Sequence, residues 1–453
     1  MLLGTVANLA ALEDLFIRGC SMLVSLPEEL QNLTSLRKLL IAVCNGLTSL
    51  RLQGLSSLQS LSIQGCQSLT SLIGGLQHLT ALHSLKIINC RELEYLPEGM
   101  QHLTSLRKLT IRGCEKLTCL PEGLRHVTTL EDLMCDCPSL TALPEWIGNL
   151  SSLRSLKLYK CPQLECLPEE LQNLTSLKNL DIDEYNGLTS LRLQGLSSLQ
   201  HLSIESCQSL TSLIGGLQHL TALEWLNIID CPELAYLPEG MQHLTSLRTL
   251  TIRSCQKLTC LPEVMQHLTS LRHLTIWSCQ KLTCLPEGLR HVTTLEDLSI
   301  GGMTPPEWIG NLSSLRRLEI EGCDKLTCLP SGLQLLTNLQ RLQIWKWQSL
   351  TALPEWIGNL SSLRFLEINE CPQLECLPSG LQLLTNLQRL RIQGCPQLEK
   401  RCEKEKGEDW HYISRIPQIR IGEAAPFRIV STTSHSKLIF ALLVRDFYWK
   451  APY

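Results

Sequence analysis

Leucines recur along this chain at a nearly fixed spacing. Lines can be started at Leu12, Leu36, Leu58, Leu82, Leu106, Leu130 and Leu153, then at Leu177, Leu199, Leu223, Leu247, Leu271, Leu295, Leu315, Leu339, Leu363 and Leu387. Most successive starts differ by 24 residues; the exceptions are 22 after Leu36 and Leu177, 23 after Leu130 and 20 after Leu295. LTSLRKLTIRGCEKLTCLPEGL, from Leu103 to Leu124, shows the pattern LxxLxIxxCxxLxxLPxxLxxLxx. Two periods coexist in it. Leu109 and Ile111 alternate with polar residues, as in a strand with one buried face. Leu117, Leu120, Leu124, Val127 and Leu130 recur every third residue or so, which suits a short helical or 3₁₀ return limb. Proline after the second leucine (Pro97, Pro121, Pro144, Pro238, Pro262, Pro286) stops strand pairing and can start that limb.

One such repeat cannot fold alone. Seven or so apolar side chains offer roughly 10–20 kcal/mol if fully buried. Ordering the backbone of 24 residues costs about 1–2 kcal/mol for each of them. Stacking covers each leucine from both sides, so stability accrues over several coils. The predicted architecture is an α/β solenoid of about 17 coils. Its parallel β-sheet is concave, and its short helical, 3₁₀ or irregular segments are convex. The clipped SIGGMTPPEW (Ser299 to Trp308) then belongs on the convex side or at a turn. The boundaries expected are a partial repeat at 1–11, the solenoid at 12–400, a closing segment at 401–421 and a tail of unknown structure at 422–453. With Met1 inside a repeat, the first coils are expected to open at low free energy and the middle ones late.

The LxxLxIxxC segment followed by LPxxLxxL resembles the leucine-rich repeats of plant intracellular disease-resistance receptors of the coiled-coil nucleotide-binding type. KGEDWHYISRIPQIRI, Lys406 to Ile421, resembles the segment that closes many of them. The GxIP of extracellular plant repeats is not found, nor is a GxxxxGK[ST] phosphate loop. The resemblance implies a receptor's recognition region, a fragment or a degenerate copy, with the upstream nucleotide-binding region absent from this chain. Its partner would be a pathogen effector or a monitored host protein. The alternative is a free-standing leucine-rich-repeat adaptor or inhibitor. An extracellular inhibitor would need a signal peptide and disulfide-bonded caps.

Composition narrows the classes. With 40 basic and 43 acidic residues, bulk charge argues against nucleic acid or an anionic membrane. Aromatics at 5% force an aliphatic interior. No stretch near Met1 reads as a signal peptide, and the apolar run Leu438 to Val444 is too short to span a membrane, so a cytoplasmic chain is expected.

Of the 22 cysteines, 14 share one repeat position, from Cys20 and Cys44 to Cys371 and Cys395. Six more, Cys119, Cys166, Cys260, Cys284, Cys328 and Cys376, sit in the x of LTxLP or LExLP. Such periodicity predicts a buried column at the strand's end rather than disulfides or a metal site. The histidine row (His78, His102, His126, His219, His243, His267, His291) reads as a copied surface residue. The NxS/T sequons are by-products of the NLTS and NLSS limbs. No serine, cysteine or carboxylate stands out as catalytic, and neither enzyme nor cofactor is expected.

The chain also contains its own comparison. Residues 58–105 align without gaps on 199–246 and differ at nine positions: Ser60/His201, Gln64/Glu205, Gly65/Ser206, His83/Glu224, Ser84/Trp225, Lys86/Asn227, Asn89/Asp230, Arg91/Pro232 and Glu94/Ala235. The return limbs LTSLIGGLQHLTAL are identical. Drift on exposed positions would have scattered changes over those limbs too. Variation beside the strands predicts a binding surface on the sheet's open face. Its expected residues are Phe16, Tyr159, Trp225, Trp277, Trp345 and Phe365, with Lys157 and Lys160 preceding Asp181, Asp183 and Glu184.

Overall fold

The computed structural model describes residues 11–72, 75–97, 99–323 and 325–422. The repeat becomes a stack of coils, each giving one strand, mostly of five residues, to a parallel sheet. Among the described residues this sheet has 18 strands, from Asp14–Arg18 to Gln418–Ile421. Each strand pairs with the next in chain order. Asp14 lies beside Lys38, Trp225 beside Thr249 and Arg341 beside Phe365, so equivalent repeat positions form continuous columns. A repeat of near-constant length gives that register automatically. The second and fourth residues of each strand, such as Leu226 and Ile228, point into the core. The first, third and fifth face outward.

Opposite the sheet run 3₁₀ helices such as Glu122–His126 and Glu263–His267. Pro121 and Pro262 precede them at φ −71° and −61°, values the pyrrolidine ring imposes. The two 22-residue coils lack that proline. There Ser49–Leu50 pairs with Ser71–Leu72, and Ser190–Arg192 with Ser212–Ile214, because backbone N–H groups remain available for a second ladder. In the clipped coil the shortening falls between strand Asp297–Gly301 and helix Glu307–Asn311, at the turn.

The residue just after each strand is left-handed in nearly every coil. It is glycine at Gly19, Gly65 and Gly113, but Asn89, Asp230, Ser254 and Ser278 also adopt φ of 53–56°. The conformation turns the chain off the sheet and delivers the next residue, usually cysteine, into the core. The Sγ of Cys161, Cys207, Cys255 and Cys371 then donates to the carbonyl oxygen two residues earlier, at 3.3–3.4 Å. Thirteen of the 14 column cysteines are buried; Cys20, in the first described coil, is exposed. The second set is a correction to the expected buried column. Cys119, Cys166, Cys260, Cys284 and Cys328 are exposed and Cys376 is half-buried, because they sit between two inward leucines and point outward. The seven histidines lie on the return side, exposed.

Burial pushes the Cys114 and Cys161 thiols up to about 11 and Cys402 to about 12. An unfolded thiol ionises near pH 8.5. The unfolded chain therefore loses protons first as pH rises, and the slope of stability with pH is negative there. This contribution is intact below about pH 8.5 and is lost as pH climbs to about 11. Thermal melts should show a flat midpoint to pH 8 and a steep fall above 9. A native-state thiol reagent at neutral pH should modify the exposed set quickly and the buried column slowly. Melts independent of pH up to 11 would contradict the column's burial.

Beyond strand Arg389–Gln393 the chain forms helix Pro396–Arg401 and a short helix Trp410–Ile413. It then lays strand Gln418–Ile421 on the sheet. Leu398, Cys402 and Ile413 are fully buried by this segment. At the other end Leu12, Leu15 and Ile17 are only half-buried. All but the last residue of the partial repeat at 1–11, and all but the first of the tail at 422–453, lie outside the described residues.

Candidate protein-binding face

The sheet's outward columns place most of the expected residues on one face, spread from the first coil to the coil of Phe365. Phe16, Lys157 and Asp181 occupy the third strand position, Trp225 and Phe365 the first, and Tyr159, Asp183, Trp277 and Trp345 the fifth. Lys160 and Glu184 are displaced from the expected surface. They follow their strands in the left-handed turn, at φ 49° and 55°, and line the sheet's edge. Of the nine positions that differ between residues 58–105 and 199–246, four pairs project from the face: Ser60/His201, Gln64/Glu205, Ser84/Trp225 and Lys86/Asn227. Gly65/Ser206 and Asn89/Asp230 lie in the left-handed turn.

The aromatics differ in their freedom. Phe16 is 64% exposed and Trp225 39%. His201 meets the Trp225 ring edge-on, with centroids 5.2 Å apart. Trp277 is half-buried; its Nε1 donates to Ser299 Oγ at 2.5 Å, and the Arg253 guanidinium lies 5.2 Å from its ring centroid. Burial holds that guanidinium below its ordinary range. Trp345 Nε1 and the neighbouring Asn369 Oδ1 are buried without a hydrogen-bond partner among the described residues. Orphaned buried groups are rare and cost about 1–3 kcal/mol each.

Opposite charges meet along the same face. Asp181 accepts from Lys157 Nζ at 3.0 Å and from Tyr159 Oη at 3.3 Å. Burial, reinforced by Asp183 and Asp181, raises the Glu205 carboxyl above its ordinary range despite the Ser203 hydrogen bond. Burial also pushes the Glu319 carboxyl up, while Ser299 Oγ donates to it. Burial would raise Asp297 too, but His273 and Arg317 outweigh it and hold that carboxyl low. Among the described residues no three His, Cys, Asp or Glu side chains converge as a metal site would require.

Comparison with known proteins agrees with this architecture. A family model described as "Leucine-rich repeat region" matches residues 304–438, and one described as "R13L1/DRL21 LRRs" matches residues 114–185. The chain carries leucine-rich repeats, and those at 114–185 are similar to the R13L1/DRL21 type. Thirty residues of this leucine-rich-repeat chain are 60% identical to disease resistance protein RGA4 of Solanum bulbocastanum, covering 7% of the chain and 3% of that relative. The match therefore spans only a small part of RGA4. A solved leucine-rich-repeat protein of Leptospira interrogans superposes with a TM-score of 0.58 at 23% identity, over 92% of this chain and 98% of that one. That likeness concerns the fold.

Proposed function

We propose that this chain is the recognition region of an intracellular plant immune receptor. Its open sheet face binds a protein, either a pathogen effector or a host protein monitored on the receptor's behalf. The carrying observation is the internal duplication: copies that keep identical return limbs differ on the outward strand positions. A second pair of copies repeats it. Residues 306–316 are identical to 354–364 and 328–342 to 376–390, yet between them Arg317 stands opposite Phe365 and Glu321 opposite Asn369, and beyond them Trp345 stands opposite Gln393. Resemblance to RGA4 and to the R13L1/DRL21 repeats supports the plant-resistance setting. A nucleotide-binding region outside this chain would do the signalling, and the face itself performs no chemistry. Among the described residues no helix is long and apolar enough to cross a membrane, and we place the protein in the cytoplasm.

The test is a partner selected by display against the full chain. Trp225→Ala, Trp277→Ala and Trp345→Ala should leave circular dichroism intact, and at least one should weaken binding by about 2 kcal/mol or more. Alanine at the return-side His219, His243 and His267 should change nothing. The opposite pattern would move the binding surface to the return side.

A further inference from the structure

The residue before each strand and the strand's first residue, its opening pair, form an edge where charges are mostly neutralised between coils. Arg37 and Lys38 meet Glu13 and Asp14; Arg107 and Lys108 meet Glu131 and Asp132; Arg272 and His273 meet Glu296 and Asp297. From residue 316 onward this alternation stops. The opening pairs read Arg316-Arg317, Gln340-Arg341, Arg364-Phe365 and Gln388-Arg389: five arginines and no carboxylate. Arg317 is still paired with Asp297. Arg341, Arg364 and Arg389, on three successive coils and all exposed, have no carboxylate partner among the described residues.

These cations are nevertheless held in place. The Arg341 and Arg389 guanidinium groups lie 4.5 Å and 5.5 Å from the centroid of the Phe365 ring, one from each neighbouring coil. Arg389 Nε also donates to Gln418 Oε1 at 2.8 Å. A guanidinium stacked on an aromatic ring keeps its planar N–H fork free for an anion and loses less freedom on binding. Among the described residues, lone cations such as Arg154 and Lys178 on the same edge have no such stack.

We infer that Arg341, Phe365 and Arg389, with Arg364 between them, form a clamp for an acidic segment of the protein partner. The inference deepens the proposed function and rests on it. Two strand steps separate Arg341 from Arg389, roughly 10 Å. A polyproline-II segment has three residues per turn, so its side chains three residues apart share one face at about 9 Å, close to that distance. The fitting partner carries carboxylates at that interval, each taken by one guanidinium fork. Arg341 and Arg389 lie on the first outward column, in line with Trp225, so one partner can engage both parts of the face.

Fluorescence polarisation with the full chain tests this. The probe is a labelled twelve-residue peptide with glutamate at every third position. A glutamine version, a lysine version and a twelve-nucleotide oligothymidylate serve as comparisons. The acidic peptide should bind at least tenfold tighter than the glutamine one in low salt, and the margin should shrink as salt rises. The double variant Arg341→Gln/Arg389→Gln should abolish the margin, and Phe365→Leu should reduce it with the fold unchanged by circular dichroism. Arg107→Gln/Lys108→Gln, at neutralised positions, should not. Equal binding of the acidic and glutamine peptides, or a margin indifferent to the double variant, overturns the clamp. Tighter oligothymidylate binding through the same arginines would make it a nucleic-acid site instead. If the peptide fails while a selected partner still depends on the tryptophans, the clamp falls and the proposed function stands; if the tryptophans and both arginines are all dispensable to that partner, the face itself falls.

Discussion

Replacing Asp409 with alanine is expected to unfasten the C-terminal end of the solenoid and lower its local stability by about 2–4 kcal/mol. Asp409 is 2% exposed and holds three things at once. Its Oδ2 accepts from the Leu377 backbone N–H at 2.8 Å and from Arg401 Nε at 3.2 Å, while Oδ1 accepts from Arg401 Nη2 at 2.8 Å. Losing the carboxylate leaves the Leu377 N–H buried and unpaired and removes the main partner of a guanidinium. Arg401 is 38% exposed in its side chain and also meets Glu408, so water and that second carboxylate keep the cost below a fully buried pair's. Asp409→Asn retains one acceptor and should cost less. Because a solenoid's coils depend mainly on their neighbours, the damage should be local. Amide exchange should quicken from about residue 365 to 421, as Leu390, Leu398 and Ile413 lose their cover, and stay slow between about 200 and 300. Unchanged exchange over residues 389–421 would mean that packing of Leu398 and Ile413 alone secures this end.

Periodicity made the fold legible before any coordinates. A near-constant coil length can register strands in only one way, and leucines at fixed offsets leave only one face to bury. Features that depend on backbone conformation were not legible. The left-handed column had a signal in the recurrent Gly19, Gly65, Gly113, Gly302, Gly322 and Gly394, but Lys160 and Glu184 at the same position hid it and passed for face residues. The six outward cysteines misled for a related reason, since a repeat period shows that positions are equivalent without showing which way they point. In the closing segment the resemblance of Lys406 to Ile421 suggested cover for the last coil. That residues 418–421 add an eighteenth strand depends on a register no repeat dictates. On the face, Trp225 was visible because it stands where the copied coil has Ser84. The stacking of two arginines on Phe365 was hidden, since it joins residues 24 apart on both sides of that ring.

Returning Trp347 to the cysteine that its column favours is expected to destabilise the protein by about 3 kcal/mol or more. Trp347 stands between Cys323 and Cys371 in the column and is fully buried. Its indole fills the core beside a coil whose Leu326 is only half-buried, and Nε1 donates to the Leu326 carbonyl oxygen at 2.9 Å. A cysteine there would leave most of the indole's volume empty and would forfeit that hydrogen bond. Ser349 Oγ also donates to the Leu326 oxygen, at 2.5 Å, so the acceptor itself would not be orphaned and the loss should come mainly from the cavity. Tyr185 supplies the contrast. It occupies the same column, is equally buried, and its Oη finds no partner among the described residues. Removing an unsatisfied buried hydroxyl while keeping the ring should relieve a desolvation cost, so Tyr185→Phe should be neutral or stabilise by about 1 kcal/mol. Urea unfolding of the two variants, read by circular dichroism, should therefore shift in opposite directions or leave Tyr185→Phe unmoved. A Trp347→Cys protein as stable as the parent would mean that the neighbouring coils collapse onto the smaller side chain, and that the column sets no fixed volume at this coil.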